Sequence, residues 1–132
     1  RRHRDHLVEK SMASSLTATD LGPWLRARGI DTLTVVGYMT HNCDDATVRQ
    51  AMHEGWKVEL LHDAAGSLPY ANSLGTATAE EIHRVFTIVM HTGFATVVST
   101  EEWLKALASG EALEADNVFL SNQRALAGRG TP

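Results

Sequence analysis

Apolar and polar positions along the chain alternate between two periods. Residues 33–36 form a mainly apolar run, broken only by Thr34, that meets Gly37; Val58, Leu60 and Leu61 form a second that closes at His62-Asp63, and residues 95–98, around Thr96, form a third. Short runs of this kind, bounded by turn residues, predict strands covered on both faces. Between them the apolar residues recur at helical spacing. Leu21, Trp24 and Leu25 share one face of a helix that Asp20 can cap. Pro23 falls in its first turn, where a missing N–H costs little, and Gly29 follows its end. Val48, Ala51 and Met52 predict a second helix, starting directly after Cys43 and ending at Gly55. Thr78-x2-Glu81 is a capping box that opens a third, with Ile82, Val85, Phe86 and Val89 on one side. Ser99-x2-Glu102 is another, leading into Trp103, Leu104 and Leu107. Residues 7–8 give a brief apolar strand ending at Glu9-Lys10, and residues 11–18 read as a Ser/Thr-rich loop. Residues 64–75, rich in Gly, Ser, Pro and Asn, read as a loop long enough to be functional. From Glu111 onward a polar tail carries an apolar island at Val118, Phe119 and Leu120.

Strand and helix alternating at this spacing imply right-handed βαβ crossovers and a parallel sheet with helices on both faces. The expected fold is a three-layer α/β/α sandwich of Rossmann-like type, with residues 1–110 as one domain and 111–132 as a C-terminal tail. In such sheets chemistry gathers at the carboxyl ends of the strands. Lys10, residues 38–43, Asp63 and Ser99 all fall at predicted strand ends. Cys43, the one cysteine of the chain, sits where a strand hands over to a helix N-terminus. Unpaired N–H groups and the helix dipole favour a thiolate there. The competing reading is a small buried core residue, and position alone leaves both open. Trp24, Trp56 and Trp103 each sit on an apolar face and read as core or subunit contacts.

Composition narrows the classes. The chain has 132 residues, enough for one domain with a real core, and a net charge of −4 gives no general affinity for nucleic acid. The basic start Arg1-Arg2-His3-Arg4 is too short to change this and reads as a solvated or truncated end. A single cysteine excludes an intrachain disulfide and a cysteine-based zinc site, which suits a reducing, cytoplasmic setting. No apolar run approaches membrane-spanning length and no signal peptide is visible. None of the seven histidines has His-x3-His spacing, and no Gly-x-Gly-x2-Gly suggests a nucleotide binder.

An ordered set of residues is similar to the isochorismatase-like cysteine hydrolases. It comprises Val8-Glu9-Lys10-Ser11, then Val35-Val36-Gly37-x2-Thr40-x2-Cys43-x2-Ala46-Thr47, then Gly55-Trp56-x-Val58-x4-Asp63-Ala64. Ala79-Glu80-Glu81-Ile82-His83-Arg84 and Thr100-Glu101-Glu102 resemble the branch that acts on streptothricin-type antibiotics. The resemblance implies hydrolysis of a small amide or related C–N bond through a covalent Cys43 intermediate. It implies that Lys10 is the cation beside the thiolate, and that the Met39 and Cys43 N–H groups form the oxyanion hole. It also implies a cis peptide at Tyr38–Met39. Thr40, His41, Asn42 and Tyr70 are then candidate substrate contacts. A small-molecule substrate and a homo-oligomer, dimer or larger, are expected; nucleic acid, membrane, metal and cofactor are not.

Two departures stand out. The family's catalytic aspartate ends a strand upstream of the lysine, whereas Asp5 lies on the short lead into Lys10's own segment. The domain therefore reads as N-terminally incomplete. The competing function is an impaired isochorismatase-like domain with a binding or assembly role. Asp44 replaces a residue that is usually apolar. Its charge would oppose a thiolate at Cys43 but favour the helix start. The tail around Phe119, or a partner subunit, is expected to cover sheet surface left open.

Overall fold

In the computed structural model, which describes residues 5–128, three parallel strands carry the fold. β1 (Thr32–Tyr38) pairs with β2 (Lys57–Gly66), and β2 pairs in turn with β5 (Thr96–Val98). Helix α1 (Leu21–Ala27) precedes β1, α2 (Asp45–His53) crosses from β1 to β2, α3 (Ala79–Met90) leads to β5, and α4 (Thr100–Ser109) follows it. The short strands β3 (Tyr70–Asn72) and β4 (Gly75–Ala77) form an antiparallel hairpin between β2 and α3.

Register decides which side chains form the core. Leu33 lies opposite Val58, Val35 opposite Leu60, and Leu60 opposite Val97. These residues share one face because strand side chains alternate. Against that face pack Val48 and Ala51 of α2, Met90 of α3 and Leu25 of α1, together with Leu16, Trp56 and Ala95. The Trp56 ring is buried and its Nε1–H donates to the Ile30 carbonyl at 3.0 Å, so the indole loses no hydrogen bond on burial. On the opposite face α4 packs over β2, where Leu61 and Val98 are buried. That cover does not reach β1. Val36 is 54% exposed, which corrects the expectation that 33–36 is enclosed on both faces.

Local signals set the helix ends. The Thr78 hydroxyl accepts from the Glu81 N–H at 3.1 Å, and the Ser99 hydroxyl accepts from the Glu102 N–H at 3.1 Å, as both capping boxes require. Gly29 takes a left-handed φ of 65° just past α1, a conformation that favours glycine.

Four other expectations are corrected. No strand forms at residues 7–10, and Leu7 is exposed. The 64–75 stretch is not a loop, since β2 continues to Gly66 and the β3–β4 hairpin follows. The tail contains a helix, α5 (Val118–Gly128), whose Val118 and Phe119 are exposed, so it does not cover the sheet. Asp20 stands at the start of α1 but makes no side-chain cap bond; its carboxylate is engaged by His6.

Candidate active site

Gly37 and Tyr38 end β1, the Tyr38–Met39 peptide is cis, and residues Thr40–Asp44 then make one π-helical turn before α2 begins at Asp45. Helix geometry therefore starts before Cys43, but as a wider turn than the sequence pattern predicts. The turn closes on itself: the Asn42 and Asp44 N–H groups both donate to the Met39 carbonyl, at 3.1 and 3.2 Å. Cys43 lies half-buried in this turn, at the carboxyl end of β1 and the amino end of α2.

Lys10 arrives from a distant part of the chain. Its Nζ donates to Cys43 Sγ at 3.2 Å and to the Met12 carbonyl at 3.1 Å. The segment that carries it is tied down at several points. The His6 ring stacks on Trp24 with centroids 4.7 Å apart, and its Nε2 bonds Asp20 at 3.0 Å. Further on, the Ser15 N–H donates to the Thr47 hydroxyl at 3.0 Å, and the Thr17 hydroxyl donates to Gln50 at 2.8 Å. Both acceptors belong to α2, the helix that follows the cysteine. The lysine is thus held by side-chain contacts rather than by a strand ladder.

A second set of contacts anchors the turn from the other side. His41 bonds the Ser67 hydroxyl through Nδ1 at 3.1 Å and the Tyr70 hydroxyl through Nε2 at 2.7 Å, fixing the β3–β4 hairpin to the turn. Tyr38 and Tyr70 are partly exposed, and Asn42 is exposed beside Cys43. Thr40, expected among the substrate contacts, is fully buried and bonds His83 Nδ1 of α3 at 2.7 Å. Its hydroxyl is used inside the protein, which corrects that expectation. Within β2, Asp63 Oδ1 accepts from the Thr100 N–H at 2.8 Å and the Thr100 hydroxyl at 2.7 Å. Those bonds hold its carboxyl below the usual carboxylate range. Asp63 accordingly pins α4 to the sheet rather than joining the sulfur. Sequence reading missed His6, Ser67, Thr47 and the Thr40–His83 pair, because each acts on a residue distant in the chain.

Asp44 contradicts expectation most clearly. It stands at the start of α2 but makes no side-chain cap bond. Its side chain is buried instead, with Oδ2 lacking any hydrogen-bond partner among the described residues. Its Oδ1 lies 3.8 Å from where a Cβ on Gly37 would stand. Burial pushes this carboxyl up from 3.8 to about 6, since desolvation disfavours the charged form. A raised folded value means that the fold favours the protonated acid. That contribution is complete below the unfolded value and is lost as pH rises through about 6. Asp44→Asn is therefore expected to match the native chain near pH 4 and to exceed it by about 2–3 kcal/mol near pH 7.5. Urea unfolding of both proteins at the two pH values measures this; an equal difference at both would contradict it.

A parallel α/β fold with a cysteine at a strand end in contact with a lysine from a distant segment defines a candidate nucleophile site of hydrolase type. The chain belongs to the isochorismatase family: the Isochorismatase domain matches residues 1–102. Among solved structures it is similar to a candidate isochorismatase from Burkholderia xenovorans LB400, at 58% identity and a TM-score of 0.94, covering 98% of this chain and 62% of that one. It is 33% identical over 102 residues to the uncharacterized isochorismatase family protein YddQ of Bacillus subtilis, covering 77% of this chain and 57% of that protein. It is also 33% identical over 60 residues to the maleamate amidohydrolase of Pseudomonas putida, covering 46% of this chain and 28% of that enzyme. The chain thus spans a little over half the length of YddQ. Among the described residues no helix is long and apolar enough to cross a membrane.

Proposed function

We propose that the chain carries the nucleophile of a cysteine hydrolase that cleaves a small amide or related C–N bond. The observation that supports this is the 3.2 Å contact between Lys10 Nζ and Cys43 Sγ. An ammonium group at that distance favours the thiolate, which is the attacking form. The thiolate adds to the carbonyl carbon, and N–H groups of Met39 and Cys43 receive the developing oxyanion. Collapse breaks the C–N bond, releases the amine with a proton and leaves a thioester on Cys43, which water then hydrolyses to the acid. The proton carrier for both halves is proposed to be a carboxylate on a further strand beside β1, whose outer edge pairs with none of the described strands. Tyr38, Asn42 and Tyr70 would line the substrate's approach, with His41 holding Tyr70 in place. The amide class follows the amidohydrolase among the relatives.

A binding or assembly role without catalysis is the competing reading. It is favoured by a cavity of about 670 Å³ that lies between β5, α4 and the 111–124 tail, lined by neither Cys43 nor Lys10. A homo-oligomer in the cytoplasm belongs to the hydrolase proposal, with Val36 and the outward residues of α3 and α4 as the surface to be covered. Iodoacetamide separates the two readings. Labelling of Cys43 at about pH 7 that is many times faster than that of a free thiol supports the hydrolase. A rate no greater than that of glutathione would overturn it.

A further inference from the structure

The residue after Cys43 is a buried acid. Asp44 is 4% exposed, and its Oδ2 has no hydrogen-bond partner among the described residues. A buried polar atom left unpaired is costly and calls for a reason. Its position explains little as a fold device, because among the described residues it caps no helix and meets no hydrogen-bond partner at Oδ2. It shares the π turn with Cys43, so a charge on its buried carboxyl stands one residue from the sulfur-bearing position. We infer that Asp44 is a charge regulator of Cys43: neutral, it leaves the sulfur to Lys10, and ionised, it opposes the thiolate and restrains the nucleophile. This inference rests on Cys43 being the nucleophile.

The surrounding charges leave Asp44 free to act in this way. Lys10 faces the neighbouring sulfur. On α2, Asp45 and Arg49 pair with each other at 3.0 Å. On α3, His83 is bonded to Thr40. In the turn itself, His41 is held by Ser67 and Tyr70. The one titratable residue of β1 is Tyr38, whose side chain is exposed. Burial is the cause that raises the Asp44 carboxyl to about 6, with no charged neighbour contributing. The regulator therefore switches within the mildly acid range, below the pH at which free thiols ionise.

The test is the rate of iodoacetamide labelling of Cys43 across pH, in the native chain and in Asp44→Asn. Regulation by charge gives a peaked ratio of variant to native rate. The ratio is one at acid pH, where Asp44 is neutral, and one again at alkaline pH, where both thiols are ionised. Between them it rises to roughly three- to tenfold, the scale of one charge acting on another at intermediate dielectric. Asp44→Val, also uncharged, must give the same curve, so either variant suffices if the other fails to fold. A ratio that is flat across pH means that Asp44 acts only through packing and overturns the inference. Lys10→Met separates this from the parent reading: if it slows labelling while the Asp44 ratio stays flat, the nucleophile stands and the regulator falls. If Lys10→Met has no effect while the Asp44 ratio is peaked, it is the lysine-activated nucleophile that falls.

Discussion

Lys10→Met is expected to slow iodoacetamide labelling of Cys43 by about ten- to a hundredfold near pH 7, and to cut any amide hydrolysis at least as much. The ammonium lies 3.2 Å from the sulfur, and methionine keeps the apolar stem while removing the charge. Lys10 is exposed, so solvent screens part of the attraction, and the lower end of the range applies at high salt. The effect should therefore shrink as ionic strength rises, whereas lost packing would not depend on salt. Lys10→Arg is expected to restore only part of the rate, because a planar guanidinium cannot place a compact charge at the same point. An unchanged labelling rate in Lys10→Met would remove the main support for the hydrolase proposal.

Leu60→Ala is expected to cost about 3–4 kcal/mol of folding stability, a large fraction of what a domain of this size holds. Leu60 is fully buried at the centre of β2, opposite both Val35 and Val97. It packs in the cluster that contains Val48 and Met90. Four other elements, β1, β5, α2 and α3, supply the residues around it, so a cavity there has little freedom to collapse. The same truncation at Val36, on the open face of β1, should cost well under half as much. Urea unfolding monitored by circular dichroism would show the contrast; equal losses at the two positions would mean that the register is wrong.

Much of the fold is legible because its signals are local. Thr78 and Ser99 announce their helices through residues three positions away, and the runs at 33–36 and 58–61 need no distant partner to be read as strands. The pairing of Lys10 with Cys43 is a different matter. The residues themselves indicate one strand end and one helix start, and resemblance to a family supplies the idea that the two meet. The strand assumed for Lys10 does not form, because its segment is fastened by a ring stack and hydrogen bonds to α1 and α2. Residues 64–75 looked like a loop because their hairpin depends on His41, more than twenty residues upstream. The burial of Asp44 had a usable signal. With Val48 and Ala51 on the inner face of α2, the residue four before Val48 falls on the same stripe. The charge of the side chain points instead to the helix start, and phase alone carries the burial.

β2 carries residues 61–64 opposite Val36 alone, between the paired positions Leu60 and Ala65. The strand must bow away from its neighbour to hold them, and Asp63 sits on that bow. The detour has a mechanical consequence. α4 is fastened to the arch, while the cysteine turn grows from the end of β1 beside it. Beyond the arch the ladder resumes at Gly37–Ala65 and Tyr38–Gly66, so α4 is linked through β2 to the two residues from which the turn springs.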